Sequence, residues 1–386
     1  MDAIIEQDCL EYINKIDFSP LRNKTVCITG ANGLIGTYLI YMLHLANRNK
    51  NAGIRIAAVS KSSSCDKLKD IFSNAYAFYS GDLSKTETYD FPFKADYIIH
   101  GATYAQPGKF LKNYLETIHL NTTATEGLLN KAKKDDAKFL YLSSSEIYGD
   151  PDRWNIPTPE TYPGLCSSVN ARSVYSESKR LGETLCFAYR NFESIDAKVA
   201  RISMSYGPGV CMNDERVLSH FIRQALDKGK IRMLDDGSKI RTFCYVADCV
   251  LMLLNILLYG RDFVYNVGGT DRITIRKLAE EICSLTGSSL EAETTARSHS
   301  LSMTHDSAFC TSDCDTVARH QLPDKNIKFS PQHVELDIGK IRAEFDLPPF
   351  KPLKDGLSRT IQWHIANRTI WRQEFQEVNF ELSLSG

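Results

Sequence analysis

This chain carries almost no excess charge: 46 Lys and Arg stand against 47 Asp and Glu, a formal net charge of -1. Nothing in that balance draws it to nucleic acid or to an anionic membrane, so any anionic ligand must be held by local positive groups. Long apolar runs are missing as well. None approaches the roughly 20 residues a membrane span needs, and the acidic, mixed start Met1–Phe18 lacks a signal-peptide pattern. Paired cysteine spacing is also absent. The 11 cysteines are an odd number scattered over 386 residues, which argues against a disulfide framework and for reduced thiols in the cytoplasm. Cys310 and Cys314 come nearest to a zinc pair, but no second pair matches their spacing, so no metal is expected. Cys27 and Cys186 lie in apolar periodic contexts and read as core.

What is present is concentrated in Lys24–Leu43, KTVCITGANGLIGTYLIYML. A short apolar run ending at Thr29-Gly30 reads as a parallel strand buried on both faces, and a helix follows at once. Gly30 permits the tight turn, Gly33 lets backbone approach a pyrophosphate, and Gly36 lets the helix pack on the strand. The free N–H groups of the first helical turn suit a dinucleotide phosphate. A second strand, Ile54–Val59, follows at the distance a βαβ unit requires.

Strand and helix then alternate. Strands are expected near Ala75–Tyr79, Asp96–His100, Lys138–Ser143 and Ala197–Ile202, with helices over about Lys109–Lys134 and Arg172–Phe192. That rhythm predicts an α/β protein with a Rossmann-type doubly wound parallel sheet. Residues 1–22 form an extension with a helix near Ile4–Ile16, residues 23–203 the dinucleotide-binding domain, and residues 204–386 mainly a smaller C-terminal α/β substrate lobe. Within that lobe we expect a helix over Val217–Lys228, strands at Ile231–Leu234 and Ile240–Tyr245, a helix after Asp248, and a strand at Phe263–Val267 returning to the main sheet. Thr274 should cap a helix to Leu285. Residues 288–330 are polar and read as a long loop, and Val334–Trp363 returns to helical periodicity.

The second informative stretch is Phe139–Gly149, FLYLSSSEIYG, taken with Tyr175-Ser-Glu-Ser-Lys179. Positions i and i+4 share a helix face, so Tyr175 and Lys179 point the same way. An ammonium beside a phenol lowers the tyrosine pKa from about 10, as a base near neutral pH requires. Ser144, at the C-terminal end of a strand, belongs over the same crevice. Arg241 offers a guanidinium fork for a diphosphate or a carboxylate.

With these motifs on the page, the chain resembles the extended short-chain dehydrogenase/reductase family, in its branch of nucleotide-sugar epimerases, dehydratases and decarboxylases. The likeness runs from about Lys24 to Trp363 through Thr29–Gly36, Gly81-Asp-Leu83, His100-Gly-Ala102, Ser144–Gly149, Tyr175 with Lys179, Arg201–Pro208 and Arg241–Asp248. Within the branch, Ser145–Pro151, Ala171–Tyr175, Met212–Val217 and Gln106-Pro107 look most like the UDP-glucuronate decarboxylases. The resemblance implies bound NAD held by Gly30, Asn32, Gly33, Leu34, Ile35, Gly36, Ser60, Lys61, Asp82, Leu83, Gly101, Ala102, Thr103, Asn121, Tyr175 and Lys179. It implies that Ser144 and Tyr175 hold the sugar 4-hydroxyl, that Tyr175 takes its proton while hydride leaves to the nicotinamide, and that Glu146 acts as acid/base near C5. Gln106, Ser145, Arg216, Val217 and Arg241 then face the substrate, a nucleotide sugar with UDP favoured. A homodimer through the helices of Lys109–Lys134 and Arg172–Phe192 is implied too.

Against the family pattern, Ser60-Lys61 replaces an Asp at the end of the second strand, which admits NADP. Met204 takes an Asn position, and His333 stands where an Arg often meets the diphosphate. Decarboxylation is favoured because simple 4-epimerases of the family need no carboxylate at 146. Epimerisation or 4,6-dehydration of a nucleotide sugar, an NADP-dependent carbonyl reductase and a non-catalytic dinucleotide-binding module are the alternatives.

Overall fold

Residues along each central strand alternate between two apolar cores, which is why the strands read as unbroken hydrophobic runs. Val26, Ile28, Leu140 and Leu142 turn to one cluster, while Cys27, Phe139 and Tyr141 turn to the other. The structure, a computed structural model, describes residues 1–72, 76–86, 89–211, 213–292 and 333–368. Its first half runs α1 (Ala3–Leu10), β1 (Thr25–Thr29), α2 (Leu34–Lys50), β2 (Arg55–Ser60), α3 (Asp66–Phe72), β3 (Ala77–Ser80) and β4 (Tyr97–His100). It continues through α4 (Pro107–Lys112), α5 (Tyr114–Asn121), α6 (Thr123–Asp135), β5 (Lys138–Ser144), α7 (Ser173–Phe192) and β6 (Ala197–Ile202).

The second half comprises β7 (Met204–Tyr206), α8 (Val217–Lys228), β8 (Lys230–Met233), β9 (Ile240–Tyr245), α9 (Val246–Tyr259), β10 (Val264–Val267) and β11 (Arg272–Thr274). After these come α10 (Ile275–Thr286), β12 (Ser289–Ala292), β13 (His333–Val334), α11 (Gly339–Glu344) and α12 (Leu353–Ala366). Seven strands form one parallel sheet in the order β10-β6-β5-β4-β1-β2-β3. This is the expected doubly wound α/β architecture. β10 supplies the returning strand, pairing Val264 with Val199 and Val267 with Ile202. Chain order reverses between β1 and β4, so the crevice beyond their C-terminal ends is where such a sheet binds ligands.

A smaller sheet is built on β9. Its first residues pair with β11 and β13, and its last three pair in parallel with β7, Met204 against Phe243 and Tyr206 against Tyr245. The short β7 was not legible beforehand. It follows β6 after a single residue, Ser203, and switches the chain from the large sheet to the small one.

Four expectations change in detail. The long helix over Lys109–Lys134 is three helices, because Asn113 and Thr122 leave the helical region at φ -116°, ψ 54° and φ -121°, ψ -77°. At each break the side chain joins its own backbone N–H on one carbonyl: Asn113 Nδ2 donates to that of Lys109 and Thr122 Oγ1 to that of Ile118. The N-terminal helix stops at Leu10, and Tyr12 instead sends its hydroxyl to Asp248 at 2.9 Å. The loop expected from residue 288 begins with β12, which pairs with β8, and most of its remainder lies outside the described residues, with Cys310, Cys314 and Met212. Between Val334 and Trp363 the periodicity resolves into β13 and two helices, parted by Pro348, Pro349 and Pro352.

The N-terminal extension is stitched into the fold. Asp2 caps α1 through the amides of Ile4 and Ile5, and its other oxygen accepts from Trp363 of α12. Asp8, fully buried, accepts from the hydroxyls of Tyr38 and Tyr245 at 2.7 and 2.6 Å and pairs with Arg359 at 2.8 Å. Removing a buried carboxylate leaves its partners unpaired. Asp8→Ala is therefore expected to cost about 3 kcal/mol, read as an earlier urea-unfolding midpoint at unchanged slope. An unmoved midpoint would mean that α1 contributes nothing to the cooperative unit.

Candidate active site

At the tip of β1, Gly30 sits at φ +74°, and a Cβ there would lie 2.7 Å from the Gly101 carbonyl carbon. Only glycine fits. A Cβ on Gly36 would run into the Gly30 carbonyl oxygen, so this glycine lets α2 settle on the β1 turn. Gly33 caps α2 without a side chain, and the first-turn N–H groups open onto a cavity of about 880 Å³. The turn is braced from below. His100 Nε2 donates to the Leu120 carbonyl at 3.0 Å, which leaves Nδ1 to accept from Thr29 Oγ1 at 2.7 Å. Thr29 Oγ1 in turn accepts from the amides of Gly101 and Ala102. Burial, with Lys179 nearby, pushes the His100 imidazole down to about 3, so it stays a neutral acceptor.

These residues fit a dinucleotide. Asn32, Gly33, Leu34, Ile35, Gly36, Gly101 and Thr103 line the cavity, and the buried Thr103 and Ser203 hydroxyls on its wall have no protein partner. Lys61 and Asp82 lie just off the wall, where Lys61 pairs with Asp82 at 3.0 Å and donates at 3.2 Å to the hydroxyl of Tyr104, which lines the cavity. Asn32 holds the loop after Ser60 through Ser62, Ser63 and Cys65. Two expected cofactor residues sit deeper. Leu83 is core, and Asn121 lies fully buried behind the wall, donating to Ser178 Oγ at 2.9 Å.

Across the cavity, α7 places Tyr175, Lys179 and Glu183 on one buried face. Ser144 ends β5 opposite Tyr175, and Phe110 of α4 stacks on the Tyr175 ring with centroids 5.1 Å apart. The expected lowering of the phenol pKa is reversed. Burial pushes Tyr175 up to about 12, although the Ser144 hydroxyl and the Arg216 charge pull it down. Lys179 sends its ammonium to the Leu142 carbonyl at 2.7 Å and over the Tyr141 ring, and its own burial lowers it to about 7. An i, i+4 spacing gives a shared face, and the nearest good acceptor decides where the charge goes.

Glu146, on the short 3-10 turn Ser145–Tyr148, is one-third exposed and grips Arg172, whose Nη2 lies 2.6 and 2.7 Å from its two oxygens. Arg172 falls inside the Ala171–Tyr175 motif without a role of its own in the sequence pattern. Its signal was its place one turn before Tyr175 on the same helix start. Lys67 was missed as well; it lines the cavity and donates to the Gly209 carbonyl at 2.8 Å.

At the substrate end, Gln106, Ser145, Arg216, Val217 and Arg241 all line the cavity, and Met204 does too. Arg216 is held by Asp214 through Nε and Nη2, which raises its pKa despite burial. Arg241 is nearly buried, and burial lowers its pKa although Glu146 and Asp150 pull the other way. His333 faces Glu335 at 2.8 Å and does not reach the cavity wall.

The profile of the "NAD dependent epimerase/dehydratase family" matches residues 26–268. The chain belongs to that family. It is 34% identical over 281 residues to "UDP-glucuronic acid decarboxylase 5" of Arabidopsis thaliana, covering 71% of this chain and 80% of that protein. Against "UDP-glucuronic acid decarboxylase 1" of Danio rerio it is 33% identical over 270 residues, covering 70% of this chain and 57% of that longer protein. Its fold matches a dTDP-glucose 4,6-dehydratase from Bacillus anthracis, solved with NAD, at a TM-score of 0.69 and 22% identity, over 91% of this chain and 99% of that one. Family members are enzymes of the kind the cavity suggests, and among the described residues no helix is long and apolar enough to cross a membrane.

Lys179 gives the site a pH signature. Its folded pKa of about 7 lies below the unfolded value near 10.5, so the unfolded chain binds more protons between those values and stability rises with pH across that window. In dinucleotide-free protein we expect Lys179→Met to flatten that rise, by up to about 1.4 kcal/mol per pH unit. Denaturation midpoints from pH 6 to 10 measure it, and parallel curves for the two proteins would place the amine in water.

Proposed function

We propose that this protein oxidises the sugar of a UDP-hexuronate at C4 and decarboxylates it, with UDP-glucuronate as the best-matched substrate. The observation that carries this reading is the Glu146–Arg172 pair beside Ser144 and Tyr175. Proton abstraction from a hydroxyl needs only the phenol and its serine partner, whereas a carboxylate and a guanidinium next to them suit a substrate that carries a carboxylate and must be protonated at C5. The decarboxylase names of the relatives support it.

Ser144 and Tyr175 hold the 4-hydroxyl, and Tyr175 takes its proton. A nicotinamide dinucleotide held by the Gly30–Gly36 turn would supply hydride transfer at C4 in both directions. The 4-keto group is then β to the C6 carboxylate. Loss of carbon dioxide leaves its bonding pair in an enolate, C5 takes a proton from water relayed by Glu146, and Tyr175 gives its proton back to the C4 oxygen. Arg241 and Arg216 are placed to hold the diphosphate side. The cofactor is neither gained nor lost over the cycle.

Mass spectrometry of products from UDP-glucuronate tests this: a UDP-pentose lighter by carbon dioxide is expected, without added cofactor. Tyr175→Phe should lower turnover by about 10³-fold while dinucleotide binding persists. Glu146→Gln should let C4 oxidation proceed, seen as reduced-nicotinamide absorbance, and slow release of the product. Consumption of stoichiometric NADPH with a carbonyl substrate would sink the decarboxylase reading.

We also propose a cytoplasmic homodimer. Tyr114 and Leu115 on α5 and Leu181, Phe187 and Phe192 on the adjoining α7 are exposed apolar side chains on two helices that pack together. Light scattering should report twice the 43.5 kDa chain mass. Leu181→Glu with Leu115→Glu should halve it, and a monomeric parent protein would end the proposal.

A further inference from the structure

The adenosine end of the cleft lacks what a ribose diol asks for. In dinucleotide folds a carboxylate near the end of the second strand receives the 2′-hydroxyl, and a basic side chain there accommodates a 2′-phosphate. Here β2 ends in Ser60, and residues 60–65 read Ser-Lys-Ser-Ser-Ser-Cys, with no acid among them. The next acid, Asp66, is paired with Lys69.

The loop is ordered toward the cleft. Asn32, on the cavity wall, donates through Nδ2 to Ser62 Oγ at 3.1 Å and to the Ser63 carbonyl at 2.8 Å, and its Oδ1 accepts the Cys65 amide. Lys61 is drawn over Tyr104, another wall residue, with its ammonium 3.2 Å from the Tyr104 hydroxyl and 5.9 Å from the ring centroid. Asp82 is the acid facing it, at 3.0 Å, and that carboxylate also accepts from the Ser84 hydroxyl at 2.6 Å and amide at 3.1 Å. An ammonium has three protons. With two directed at Asp82 and Tyr104, the third is left for a further acceptor.

We propose that this site binds NADP more tightly than NAD, with Lys61 and the Ser60 hydroxyl meeting the 2′-phosphate. The proposal rests on the family's dinucleotide reading and not on the identity of the sugar. Because the redox cycle returns its hydride, either dinucleotide serves the same chemistry, and the adenosine end alone chooses.

Calorimetric titration of NADP+ and NAD+ into the full chain, freed of any copurified dinucleotide, tests it without turnover. NADP+ should bind about tenfold tighter or more, the scale of one charge-assisted contact. Lys61→Ala should weaken NADP+ by about tenfold more than it weakens NAD+, and Ser60→Asp should invert the preference. Tighter NAD+ binding by the parent protein, or an equal loss of both ligands in Lys61→Ala, overturns the proposal while leaving the sugar reading intact. Binding of neither dinucleotide overturns it together with that reading.

Discussion

The geometry of the site depends on one buried carboxylate. Glu183 lies two turns beyond Tyr175 on the same face of α7, accepts from Ser143 Oγ at 2.5 Å, and takes Arg201 through Nε and Nη2 at 3.1 and 2.7 Å. One side chain thereby fixes the helix that carries the phenol against two sheet strands, β5 and β6. Arg201 extends the tie to the Tyr148 hydroxyl and the Glu160 carbonyl, and Tyr148 donates to Asn266 of β10. The network thus reaches from the base of the Ser144–Glu146 turn to the edge of the sheet. A helix packed by apolar contacts alone could rotate by a few degrees at little cost. Arg201's donors are directed at Glu183 in a fixed planar geometry, and a partly satisfied buried pair is expensive, so rotation is opposed.

A second set of acids, two of them buried, joins the N-terminal helix to α9 and α12. Asp2, Asp8 and Asp248 bind α1, α9, α12 and the Lys351 amide into one unit on the face of the sheet remote from α7. Burial raises Asp248 to about 6, the cost of setting a carboxylate where the hydroxyl of Tyr12 and a backbone amide are its neighbours. The two arrangements divide the labour: one face of the sheet holds the helix that carries Tyr175, and the other holds α1, α9 and α12.

Much of the fold was legible because period and punctuation agreed. The glycines at 30, 33 and 36 each answer to a distinct close approach, and the strands ending in Thr29, His100 and Ser144 were read within a residue of their observed ends. Illegible features were those set by competition between local and distant bonds. Asn113 and Thr122 are ordinary helix residues by pattern, yet both leave the helical region and break the run. β7 and β12 are too short and too polar to show periodicity. The candidate site divides in the same way. Residue identity marked Tyr175, Lys179, Ser144 and Glu146, and the cavity gathers all but Lys179 at its wall. What identity could not show was direction: Glu146 turned to Arg172, Lys179 turned to a carbonyl, and Asn121 turned away from the cleft.

Direction also explains why the phenol and the amine are poised oppositely to simple expectation. Both are buried, and burial favours the neutral form of each, raising Tyr175 and lowering Lys179. A neutral phenol beside a half-neutral amine makes a poor base for a free hydroxyl in water. It would become a better one with a positive charge close by, such as an oxidised nicotinamide held in the cavity would supply. The same desolvation that holds the pair neutral then multiplies the effect of that charge, since attraction is strongest where solvent is least. On this account the protein builds a base that is dormant in the empty cleft and competent in the loaded one.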